Sequence, residues 1–238
     1  MSKLAVFGVG AALLLATAPA SAVTTFADFS PASNAPNILY VGADDGSGTL
    51  SSVDQLVHFH FLNPDGSISG TTIDAMMNLT ATTGAATVVG GSLALLPISN
   101  GTLTFTATAP VTWGGHTGTN LLSVDFSGGF LSAILGGSTA NYGNSTPPFT
   151  VNFTSDFLDF SHVVAKDFSL SFSGASPTFS APLGSSGRSS RFSGTGTFAS
   201  EPEPQVPEIS TWGMMVLGFG GAGLAMRNGR RRKDLLTA

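Results

Sequence analysis

The sequence predicts an all-β protein: an antiparallel β-sandwich body, with a jelly roll as its variant form, carried between two targeting segments. Three observations predict it. Apolar and polar residues alternate with the period of a half-buried strand, as in Val57, Phe59 and Phe61 against His58 and His60. Turn signals of Gly, Pro and Asn punctuate such runs at fairly even spacing. Charged residues make up only 10% of the chain, against about a quarter in an average globular protein, so its polarity comes from Ser, Thr, Asn and Gly. No stretch between Val23 and Val206 carries a helical period.

Taken in order, residues 1–22 read as a secretory signal peptide. Lys3 precedes an apolar stretch from Leu4 to Ala16, and Ala20-Ser21-Ala22 supplies the small residues of a cleavage site. The mature chain is therefore expected to begin at Val23. The β body follows over residues 23–198. The run Val57 to Phe61 stops at Asn63-Pro64-Asp65-Gly66, a strong turn signal. Thr102 to Thr106 alternates after Asn100-Gly101, a hairpin dipeptide. Leu122, Val124 and Phe126 repeat the pattern, as do Phe149, Val151 and Phe153. Phe168, Leu170 and Phe172 alternate with Ser169, Ser171 and Ser173, and the run from Phe192 to Phe198 closes the body. Thr, Val and Phe suit a pleated, half-buried surface. Gly136 to Pro148 and Gly184 to Ser190 read as surface loops, and residues 199–206 as an extended Pro/Glu linker.

The chain has no cysteine, which excludes disulfides, thiolate chemistry and a lipid anchor on cysteine. Between Val23 and Val206 three bases (Lys166, Arg188, Arg191) face twelve acids, a formal charge of 3 − 12 = −9. A body so acidic, with no basic patch, does not bind nucleic acid through phosphates.

Each candidate for chemistry has a plainer reading beside it. His58 and His60 share a strand face and could reach one metal, but a metal site needs further ligands, and nothing fixes Asp54 or Asp65 as those. Solvent-facing histidines are the plainer reading, and no metal or cofactor is expected. Asp44-Asp45-Gly46-Ser47-Gly48 resembles part of a calcium loop but lacks its alternating ligands and distal Glu, which leaves a solvated turn. Asp156 and Asp159 could be paired carboxylates of a glycosidase. In a strand-like run, that spacing points them to opposite faces. With no G-x-S-x-G elbow either, the body is not expected to be an enzyme. Asn78-Leu79-Thr80, Asn144-Ser145-Thr146 and Asn152-Phe153-Thr154 fit the glycosylation sequon, which an Asn- and Thr-rich chain produces by chance. A sandwich that binds carbohydrate would use Trp113 or Tyr142 as a stacking platform.

The last thirty-odd residues carry a distinct pattern. Pro207-Glu208 is followed by an uncharged, Gly-rich run from Ile209 to Met226, which contains Trp212 near its start. As a helix those eighteen positions span about 27 Å, just short of a hydrocarbon core of about 30 Å. Trp212 stands where an interfacial aromatic anchors the outer end. Arg227, Arg230, Arg231, Arg232 and Lys233 follow the run, and the positive-inside rule keeps that end cytoplasmic.

This order of motif, short span and basic end over residues 207–238 resembles a PEP-CTERM sorting signal, closest to its Trp-containing proteobacterial variant. It departs from the pattern at Ile209, where the family has a second Pro, and at Gly213, where Ala is usual. Glu201-Pro202-Glu203-Pro204 also contains a Pro-Glu-Pro, at the wrong distance from Trp212, and reads as linker. The resemblance extends weakly to Phe153–Ser161, Asp167–Leu170 and Gly194–Phe198, similar to bodies found ahead of such tails. It implies processing by signal peptidase and then by an exosortase, a membrane transpeptidase that recognises Pro207 and Glu208 and cuts near them. It also implies a transient stay in the inner membrane through the C-terminal helix. The body would then reach the cell surface or extracellular matrix of a Gram-negative bacterium, with extracellular polysaccharide as a partner.

Overall fold

The computed structural model describes residues 23–63, 67–146, 148–179 and 189–202, all within one structural unit. These residues contain twelve strands: β1 (Thr24–Pro31), β2 (Ile38–Gly42), β3 (Gly48–Phe61), β4 (Ile73–Thr83), β5 (Thr87–Val89) and β6 (Leu93–Trp113), then β7 (His116–Ser127), β8 (Phe130–Ile134), β9 (Ala140–Ser145), β10 (Thr150–Thr154), β11 (Val163–Ser176) and β12 (Ser189–Pro202). No helix occurs among the described residues, and so none there is long and apolar enough to cross a membrane. Ala20 and Ala22, expected to flank the signal-peptide cleavage site, lie outside the described residues. So do the tail residues Pro207, Glu208, Trp212, Arg227, Arg230, Arg231, Arg232 and Lys233.

Every strand pairing is antiparallel, and the pairings close on themselves. β3 pairs with β4, β4 with β6, β6 with β8, β8 with β9, β9 with β11 and β11 with β12. β12 returns to β3 twice, through β2 at Ser189–Phe192 and through β1 near Gly196–Ser200. β6 is the branching strand. Its first half pairs with β5 and β8, and its second half with β4 and β7, with β10 beyond β7.

The alternation read from the sequence is the burial pattern. Val57, Phe59, Phe61, Leu103, Phe105, Leu122, Val124, Phe126, Val151, Phe153, Phe168, Leu170 and Phe172 are all buried. Closing the circuit turns these side chains inward onto one another. Phe105 of β6 meets Phe198 of β12 edge-on, with ring centroids 5.6 Å apart. Phe198 also touches Phe26, Phe29, Phe153 and Phe168, so it joins β1, β6, β10 and β11. Gly196 makes room for this cluster. A Cβ there would lie 2.6 Å from the Phe29 ring, 2.7 Å from Leu170 and 2.8 Å from the Ser169 carbonyl oxygen.

Several expectations fail for definable reasons. Asn100-Gly101 is no hairpin turn but lies inside β6, where Gly101 lets the Phe126 ring close over the strand. The stretch Gly136–Pro148, expected to be a loop, contains β9, which fills the place between β8 and β11. The strand-like run Phe153–Ser161 is strand only to Thr154. Of the segment Gly184–Ser190, Ser189 and Ser190 begin β12, and the rest lies outside the described residues. Residues 203–206 of the expected linker lie outside the described residues, and residues 199–202 are strand, because β12 continues through Ala199 to Pro202. There Ser200 faces Thr24 and Lys166, and Pro202 faces Val163. The turn Asn63-Pro64-Asp65-Gly66 is closed by an Asn63 N–H bond to the Ser67 carbonyl at 2.8 Å, with Pro64 to Gly66 outside the described residues.

Candidate functional site

Two outer faces of the closed sheet collect the polar side chains. On the first, β3 sends His58 and His60 outward because Val57, Phe59 and Phe61 point in. Strand register then gives each imidazole its own carboxylate. Asp74 of β4 lies opposite His58, and Asp28 of β1 lies opposite His60. His58 Nδ1 is 3.0 Å from Asp74 Oδ1, and His60 Nδ1 is 2.7 Å from Asp28 Oδ1. The first pair is the wetter, with side chains 41% and 58% exposed, against 14% and 36% for the second.

This geometry separates the two histidines. Among the described residues no three His, Asp or Glu side chains converge as a metal site would require. Asp54 does not turn toward the histidines. Its N–H donates to Asn78 Oδ1 at 2.9 Å, and Asn78 Nδ2 donates back to its carboxylate at 3.2 Å. Asp65 lies outside the described residues.

His60 makes one more contact, from Nε2 to Thr72 Oγ1 at 3.1 Å. Asp28, His60 and Thr72 thus follow one another as carboxylate, imidazole and hydroxyl, the order that activates a nucleophile. The adjacent cleft, about 320 Å³, is lined by Asp28, Ser30, His60 and hydroxyls of β11 and β12, but not by Thr72. The hydroxyl that would attack therefore does not face the cleft.

The remaining sequence candidates are held in local structure. Asp156 Oδ2 accepts from the backbone N–H groups of Thr119 at 2.9 Å and Asn120 at 2.8 Å, which pins the segment after β10 to β7. Asp159 accepts from Ser161 N–H at 2.9 Å, and that bond holds its carboxyl below the usual range. Asp45 is held low in the same way, first by the Ser47 hydroxyl and then by the Ser47 N–H, in the turn between β2 and β3. Neither Asp156 nor Asp159 is arranged as one of a pair across a cleft.

The two aromatic platforms are also occupied. Tyr142 lies on β9, only 3% exposed; its hydroxyl donates to the Gly128 carbonyl at 2.9 Å and accepts from Asn144 Nδ2 at 2.7 Å. Burial raises its pKa, and the Asn144 bond only partly offsets this. Trp113 stacks on Phe61, with centroids 4.3 Å apart, and its Nε1–H donates to the Ser69 carbonyl at 3.3 Å. Tyr142 is therefore core, and one face of Trp113 is closed.

The second polar face runs over β4, β6, β7 and β10. Thr80, Thr102, Asp125 and Asn152 stand opposite one another in a single row, and Asn78, Thr104, Ser123 and Thr154 form the next. A groove of about 420 Å³ opens over the first row. Sequence reading caught the alternation of Thr102 and Thr104 but not these rows, because register between distant strands is not written in any one segment. The available signal was the uniform polar type on the outward positions of each strand.

No protein-family model, curated protein or solved structure matches the chain.

Proposed function

We propose that the chain is an exported surface or matrix protein of a Gram-negative bacterium, delivered through a C-terminal exosortase signal. Its body is a non-enzymatic β-sandwich, a flattened form of the closed antiparallel circuit, that works outside the cell. The single observation that carries this reading is the ordered tail: Pro207-Glu208, Trp212, an uncharged run to Met226, and the cluster Arg227, Arg230, Arg231, Arg232 and Lys233. In this reading Pro207 and Glu208 form the recognised peptide. The run to Met226 docks in the inner membrane, and the basic cluster fixes its topology. Signal peptidase acts first, at Ala20-Ser21-Ala22, and the exosortase second.

With no cysteine the body has no disulfides, and its stability comes from the apolar core. The locked positions of Asp156 and Asp159 support a body without hydrolase chemistry. Mass spectrometry of protein recovered from the cell surface is expected to find no peptide from Met214 to Ala238. A surface form that retains that peptide would overturn the reading. Full-length protein confined to the inner membrane would instead make the tail a plain anchor.

A further inference from the structure

We propose that the groove over β4, β6, β7 and β10 binds a neutral polysaccharide chain, with Asp125 as its central hydrogen-bond acceptor. The argument starts from what these side chains are not doing. Two direct cross-strand hydroxyl pairs elsewhere on this sheet bond to each other, Thr112 with Thr117 at 2.9 Å and Ser169 with Thr197 at 2.9 Å, whereas Thr49 and Thr82, and Ser171 and Thr195, stand opposite without such a bond. Thr80 and Thr102 face each other in the same way and make no such bond. Asp28, Asp45, Asp54, Asp74, Asp156 and Asp159 each accept a hydrogen bond from a neighbour. The side chain of Asp125 engages no described residue, although it stands between Thr102 and Asn152.

The groove therefore offers a row of unengaged donors and acceptors at strand spacing, about 4.8 Å apart and about 14 Å from end to end. Its chemistry narrows the occupant. Among the described residues no Lys or Arg lines it, so it has nothing with which to hold an anionic polymer or a phosphate. Protein interfaces are enriched in aromatic residues, Met and Arg and depleted in Ser and Asp, and apart from Phe126 this lining is the reverse. A sugar chain matches it. Vicinal hydroxyls can donate to both oxygens of Asp125, Asn152 and the threonines can donate and accept, and the threonine methyls can meet the apolar faces of the rings. The row itself crosses β4, β6, β7 and β10, the direction a bound polymer would take.

This inference rests on the export reading only for where such a chain is met. Binding is scored on purified protein and sorting on the processed C-terminus, so either can fail alone. The test is affinity electrophoresis of the full chain in native gels cast with a neutral β-glucan, a neutral galactomannan or anionic alginate. Retardation is expected in at least one neutral gel and not in alginate. Asp125→Ala and Thr102→Val are expected to weaken it about tenfold each, the loss of one charge-assisted or well-placed hydrogen bond. Asp125→Asn and Thr102→Ser, which keep an acceptor or hydroxyl, should retain more binding than their partners. Unchanged far-UV circular dichroism and urea midpoints identify the loss as local. No retardation in either neutral gel, stronger retardation in alginate, or retardation indifferent to all four variants would overturn the proposal. So would a self-associated chain whose dimerisation is abolished by the same variants.

Discussion

The two polar faces of this protein are built from similar strands and have opposite chemistry. On the β1–β3–β4 face the polar groups answer one another: His60 binds Asp28 and Thr72, and His58 binds Asp74. On the β4–β6–β7–β10 face Thr80, Thr102, Asp125 and Asn152 line up and engage no described residue. The first face holds the residues that look most chemical in the sequence, and the fold uses them to tie strands together. The second holds residues that look ordinary and leaves those of its first row free, although Asn78 and Ser123 in the next row are bonded to Asp54 and Asn120. Chemical conspicuousness in a sequence is thus a poor guide to function unless the register that pairs each side chain is known. A hydrogen-bonded polar group contributes to stability, whereas an unpaired exposed one remains open to a ligand.

Both faces hang from one core, so the largest expected effect removes them together. Phe198→Ala should cost about 3–5 kcal/mol, the usual range for a buried Phe. That is a large share of a total stability of about 5–15 kcal/mol. The ring touches Phe105 on one side of the circuit and Phe168 on the other. Urea unfolding followed by circular dichroism should show one cooperative transition shifted by that amount. A loss below about 1 kcal/mol would mean that the circuit does not close around this ring.

The next effect separates the paired face from its own wetter edge. A double-mutant cycle on Asp28 and His60 should give a coupling of about 1 kcal/mol, since this pair is partly buried and short. The same cycle on His58 and Asp74 should give less than about 0.5 kcal/mol, because both partners are well exposed. Equal couplings would remove exposure as the reason the two pairs differ.

Much of the fold was legible because burial with a period of two is a local property. Phe168, Leu170 and Phe172 are buried as their alternation implies. What was not legible depends on partners far away in the chain. Ala140 to Ser145 is rich in Asn and Gly and reads as loop, yet β8 and β11 together supply its backbone bonds and Tyr142 its buried contact. Asn100-Gly101 is a strong turn signal that tertiary packing overrides, because Phe126 needs the space a Gly leaves. Pro202 and Ser200 read as linker by composition and are held in β12 by Val163, Lys166 and Thr24. The groove was hidden for the same reason: Thr80 and Asn152 are brought into one row only by the pairings through Thr102 and Asp125.

The smallest expected effect is the one that sharpens the contrast most. Asp125→Asn should change stability by less than about 0.5 kcal/mol, as surface substitutions away from structural features usually do. Asp28→Asn, on the other face, also replaces a carboxylate with an amide of the same shape. Its loss should exceed that of Asp125→Asn, because only Asp28 faces an imidazole, at 2.7 Å. Paired urea titrations at one pH make the comparison direct, since each variant loses one negative charge and no volume. If Asp125→Asn destabilised the protein as much as Asp28→Asn does, Asp125 would be part of the structure after all, and its place in an open binding row would have to be given up.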